Sequence, residues 1–172
     1  MFGLCTGQRL GDIATLTWQN IREDGLVDFS QGKTGRDMVL PLAKPLADYV
    51  RDELPAGDDP KAPLFPHAHH VGTQHKSVGA LSHEFRDILA EIGLAKPVPR
   101  NKQKDGRSGK RETSELSFHS LRHNTISMLN GASVTETAAM AIAGYSSKQV
   151  SRLYTHVSTE DLAKALDQLP TL

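Results

Sequence analysis

The sequence has one cysteine, one tryptophan, no net charge and no long apolar run. A lone Cys5 permits neither an internal disulfide nor a cysteine zinc cage, which fits a reducing compartment. No apolar stretch approaches the roughly 18 residues needed to span a bilayer. The N-terminal MFGLCTGQRL shows no basic stretch, long apolar core and cleavage site, so no secretory signal is visible and a cytoplasmic location is expected. A formal net charge of zero argues against a generic polyanion binder. At 38% hydrophobic and 23% charged residues, with a mean hydropathy of −0.40, the chain is neither disordered, collagen-like nor a coiled coil. Its 172 residues suffice for one domain with a real core.

The charge is unevenly placed. Residues 1–95 hold 9 Lys/Arg against 13 Asp/Glu, and residues 96–172 hold 11 against 7. The positive excess lies in residues 96–115, where seven basic side chains, Lys102, Lys104, Arg107, Lys110 and Arg111 among them, meet three acidic ones. This stretch reads as a basic flexible loop. It is either a solvated surface insertion or an arm that contacts DNA phosphates and orders on binding.

Apolar periodicity predicts a mainly helical α+β fold with one small antiparallel hairpin. Leu10, Ile13, Ala14 and Thr17 recur at helical spacing, with Gly7 opening the segment. Residues 25–31 and 37–42 suit strands, and the intervening Gly32 to Gly35 is turn chemistry, which sets Lys33 at a hairpin tip. Leu42, Leu46, Tyr49, Val50 and Leu54 predict a helix closed by Pro55, followed by a loop over residues 55–74. Val78, Leu81, Phe85, Ile88, Leu89 and Ile92 form an amphipathic helix capped by Gly93. Further helices are predicted over Phe118 to Leu129, from a Ser133–Glu136 capping box to Gly144, over Ser147 to Thr155, and from Ser158 to Leu169. The last has a narrow leucine stripe and needs a surface on its own domain or on another chain.

Several side chains suit a phosphate. Arg9 and Arg122 each offer a planar fork of donors matched to two phosphodiester oxygens. Asp12, three residues after Arg9, lies on the same helical face, where it either orients that guanidinium or forms a plain ion pair. His119 and His123 in HSLRH are one turn apart, but the arginine between them and the missing glutamate disfavour a metal. Proton transfer or phosphate contact suits His119, and a structural role suits His123. His67, His69, His70 and His75 share a segment with Pro and Gly, without cysteine or regular register, and read as solvated or packing histidines rather than a metal site. Tyr154 is either an amphipathic packing residue or a nucleophile. The second needs neighbouring cations or a base to favour its phenolate.

Together these residues resemble the catalytic domain of the tyrosine recombinase (phage integrase) family. The family's T-G-x-R followed by an acidic residue is matched by Thr6, Gly7, Arg9 and Asp12, running into Leu16 to Trp18. Its hairpin lysine is matched by Lys33, its H-x-L-R-H by His119 to His123, and its L-Y-x-H segment by Tyr154, Thr155 and His156. The resemblance implies that Tyr154 attacks a DNA phosphate to form a 3′-phosphotyrosyl link, with no metal or other cofactor. Arg9 and Arg122 would clamp the phosphate, Lys33 would protonate the leaving 5′-oxygen, and His119 would assist proton transfer. It also implies double-stranded DNA as partner and a homotetramer on DNA for the full-length protein; a monomer is equally compatible with this chain.

Two departures stand out. Tyr145 occupies the position where the family has His or Trp, and its hydroxyl can still donate to a phosphate oxygen. The chain also starts close to its first motif, so the family's N-terminal DNA-clamping domain is expected to be absent. These features keep open a degenerate DNA-binding remnant without turnover. A metal-dependent hydrolase built on the histidine segment is the remaining alternative, and it predicts loss of activity with chelator.

Overall fold

The computed structural model describes residues 1–55, 59–74, 78–97, 116–132, 134–144, 159–167 and 169. Residues 98–115 of the basic segment 96–115, the predicted helix over residues 147–155, and Tyr145, Tyr154, His75 and Ser133 lie outside them. In chain order the elements are α1 (Phe2–Thr6), α2 (Leu10–Ala14), a 3-10 turn (Trp18–Asn20), β1 (Leu26–Ser30), β2 (Asp37–Pro41) and α3 (Lys44–Asp52). They continue with α4 (Pro66–Gln74), α5 (Val78–Glu91), α6 (Phe118–Gly131), α7 (Glu136–Ala143) and α8 (Thr159–Leu166).

The hairpin forms where turn chemistry placed it. β1 and β2 pair antiparallel from Leu26 opposite Pro41 to Ser30 opposite Asp37. Between them, Gly35 turns the chain at φ 64°, and the N–H groups of Gln31 and Gly35 donate to Arg36 O and Gln31 O, both at 2.8 Å. Val27, Met38 and Leu40 point into the core, where α1, α2, α3, α6, α7 and α8 meet them. A satellite cluster of Ala14, Val71 and Leu81 joins α2, α4 and α5. Among the described residues no helix is long and apolar enough to cross a membrane. Cys5 is buried, and desolvation pushes its thiol upward, so it packs as a small apolar group.

Several local expectations are corrected. Gly7 does not open a helix: at φ 63° it closes α1, its N–H bonded to Gly3 O, in the left-handed conformation that glycine tolerates. α2 ends at Ala14, and Thr17 instead forms a capping box with Asn20. The expected loop over residues 55–74 contains α4, whose low amphipathicity hid it; its apolar contribution is Val71 with Ala68. On α5, Leu81 and Leu89 are buried, but Ile88 and, just past the helix end, Ile92 are 54% and 63% exposed, because they lie off the face that α2, α4 and α6 cover. The cap of α7 is Thr135, whose hydroxyl accepts from Ala138 N, and not Ser133. α8 docks on its own domain, burying Leu162 and Leu166 against β2 and α7.

Leu129 on α6 is fully buried in the main cluster. Leu129→Ala should lower the unfolding free energy by about 2–5 kcal/mol, read as a shifted midpoint in urea with an unchanged slope.

Candidate active site

Six polar or charged residues among those described are buried: Thr6, Gln8, Asp12, Gln31, Arg122 and Thr125. All six surround the Thr6–Arg9 turn and the hairpin tip. Polar burial is costly unless the groups are hydrogen-bonded, and such concentration marks the place where the fold holds fixed geometry.

The turn comes first. Thr6 Oγ1 donates back to Phe2 O at 2.7 Å, and Gly7 then ends α1. Ending there leaves the Gly7 carbonyl for α6, whose Arg122 Nη1 donates to it at 2.8 Å. One turn further along α6, Thr125 Oγ1 donates to Leu4 O at 2.7 Å. α6 can approach this closely because Gly3 has no side chain: an added Cβ would lie 2.7 Å from the Phe118 ring. Arg122 is 2% exposed and therefore fixed.

Arg9 sits at the N-cap of α2 in extended conformation. Its Nη1 faces Asp12 Oδ2 at 3.7 Å, and neither atom has a hydrogen-bond partner. The other carboxylate oxygen of Asp12 accepts the Gly32 N–H at 2.8 Å. One buried carboxylate thus joins the Arg9 helix to the residue preceding Lys33.

His119, one turn before Arg122 on α6, is exposed, and its ring stands edge-on to His123 with centroids 5.0 Å apart. Partial burial depresses its pKa below the ordinary imidazole value. The charges of His123, Arg122, Arg9 and Lys33 depress it further, in that order. Three separate elements therefore bring Arg9, Lys33 and Arg122 within electrostatic reach of His119. His123 extends the pair outward and is exposed. Tyr145 and Tyr154, with Lys102, Lys104, Arg107, Lys110 and Arg111, lie outside the described residues.

The histidine segment is apart from this cluster. His67, His69 and His70 lie on α4, and His67 Nε2 is 2.9 Å from Glu84 Oε2 on α5. No group of three or more His, Cys, Asp or Glu among the described residues is placed to hold a metal ion.

Two buried residues were not anticipated: Gln8 and Gln31. Gln31 Nε2 donates to Gln8 Oε1 at 2.9 Å, and Gln8 Nε2 donates to Ile142 O at 2.6 Å near the end of α7. Their only sequence signal is adjacency, Gln8 to Arg9 and Gln31 to the Gly32–Gly35 turn.

A profile of the phage integrase family matches residues 1–161. The chain belongs to this family. It is 27% identical over 173 residues to tyrosine recombinase XerD of Brucella suis, covering 95% of this chain and 48% of that one. It is 26% identical over 163 residues to tyrosine recombinase XerA of Thermococcus kodakarensis, covering 94% and 51%. The fold matches the integrase from mycobacterium phage Brujita with a TM-score of 0.64 at 16% identity, over 98% of this chain and 49% of that one. A crystal structure of XerA recombinase matches with a TM-score of 0.55 at 16% identity, over 99% and 57%. The chain spans about half the length of the curated relatives it matches. The integrase fold with its small two-stranded sheet is the one expected from the motifs.

Because cations depress His119, removing one should raise it: Lys33→Met moves the imidazole pKa upward in a proton NMR titration. The folded chain binds this proton less readily than the unfolded one. The stability contribution is therefore full above the unfolded value of about 6.5 and is lost as pH falls from there through the folded value.

Proposed function

We propose that this chain is the catalytic domain of a site-specific DNA recombinase, which breaks and rejoins DNA through a 3′-phosphotyrosyl intermediate without a metal. The observation that carries this reading is the convergence of Arg9, Lys33 and Arg122 on His119 from three elements held together by buried polar contacts. Membership of the phage integrase family supports it.

In this reading the Tyr154 phenolic oxygen attacks the scissile phosphorus, the new P–O bond forms, and the bond to the 5′-oxygen breaks. Arg9 and Arg122 stabilise the charge on the non-bridging oxygens, where preorganised donors are worth most. Arg122 is locked by burial and Arg9 is oriented by Asp12. Lys33 protonates the departing 5′-oxygen. His119, whose surroundings favour the neutral imidazole, assists proton transfer and bonds the phosphate. Tyr145 donates its hydroxyl to the phosphate in place of the family's His or Trp. A second strand's 5′-hydroxyl reverses the chemistry, so strands are exchanged rather than hydrolysed.

The partner is double-stranded DNA, with Lys102, Lys104, Arg107, Lys110 and Arg111 neutralising phosphates. Such contacts make binding weaken steeply with salt. The assembly on DNA is a homotetramer of the full-length protein.

On a nicked suicide duplex the chain should form a covalent protein–DNA band that Tyr154→Phe abolishes, with Arg9→Ala slowing its formation by about 100-fold or more. Binding without any band favours the remnant reading, and loss of the band on adding chelator favours a metal enzyme.

A further inference from the structure

The hairpin tip is held from both sides of Lys33. Before it, the Gly32 N–H is bonded to Asp12. After it, Thr34 Oγ1 donates to Gln31 Oε1 at 2.8 Å. Gln31 is fully buried and uses every polar group it has: its backbone closes the turn onto Gly35 and Arg36, its Oε1 takes Thr34, and its Nε2 reaches Gln8 Oε1. Gln8, 2% exposed, passes the connection to Thr6 O at 3.0 Å and to Ile142 O at 2.6 Å. Two residues beyond Ile142, Gly144 ends α7 at φ 70° against the Gln31 amide, where an added Cβ would collide with Gln31 Nε2. The next residue in sequence is Tyr145.

We infer that Gln8 and Gln31 are positioning residues for strand cleavage: their paired buried amides fix the Lys33 turn relative to the Thr6–Arg9 turn and the Gly144 end of α7. The inference rests on the proposed function, because it assigns the amide pair to the placement of the proton donor. Neither amide touches the phosphate; each acts through Lys33. An apolar core would satisfy packing equally well, and a half-satisfied amide pair is worse than none, so the arrangement serves alignment.

The test separates misplacement of a proton donor from general loss of structure. A 5′-bridging sulfur in the scissile linkage leaves as a thiolate, a far weaker base than an alkoxide, and needs no proton. Gln31→Leu and Gln8→Leu, checked for native circular dichroism, should slow adduct formation on the ordinary suicide duplex by about 10-fold or more, the scale of a displaced general acid. On the sulfur-containing duplex both should run near the wild-type rate. Thr34→Val, on the exposed side of the turn, removes a single bond to Gln31 and should show the same pattern in smaller measure even if the leucine variants do not fold. Equal losses on both duplexes, or no loss on either, overturn the inference and leave the proposed function standing. A wild-type chain that makes no adduct on either duplex overturns the proposed function and the inference with it.

Discussion

The buried guanidinium of Arg122 is the constraint on which the local architecture depends. Taking a cation out of water costs several kcal/mol unless hydrogen bonds compensate it. Its bond to the Gly7 carbonyl requires that α1 end at that residue, which the left-handed glycine achieves. The same bond fixes the spacing of α6 from the turn that presents Arg9. Gly3 and Thr125 are consequences of that spacing: one leaves room for Phe118, and the other adds a second hydrogen bond across the same helix pair. Fold and site are therefore built by one set of contacts.

Asp12 extends the arrangement to the sheet. With one oxygen beside Arg9 and the other on the Gly32 amide, it adds a polar bridge between a helix and a hairpin that already share the apolar core. The amide pair of Gln8 and Gln31 adds a neutral second connection, which suits a site already crowded with positive charge. A further buried cation there would deepen the repulsion that depresses His119.

The sequence was legible where a residue type has few physical uses. Glycines flanking a lysine between two β-compatible runs led to the hairpin, and the spacing of Leu121, Thr125, Ile126 and Leu129 led to α6. The candidate site was legible through arginine, histidine and lysine at family spacing. What escaped had ambiguous local signals. α4 carries histidines and a glycine with little amphipathic contrast, so its helicity is set by contact with α2 and α5. Ile88 and Ile92 look like core residues by type, yet which face of α5 is covered depends on neighbours distant in sequence. Gln8 and Gln31 gain their meaning only when residues 23 apart are brought face to face.

The docking of α8 has a thermodynamic side. Among its described side chains Leu162 and Leu166 are buried, each contributing about 1.5–3 kcal/mol on full burial. Local opening free energies differ along a chain and are lowest where few apolar side chains are buried. The landing strip of α8 is β2, so the strand that anchors the lysine turn is also the one this latch covers.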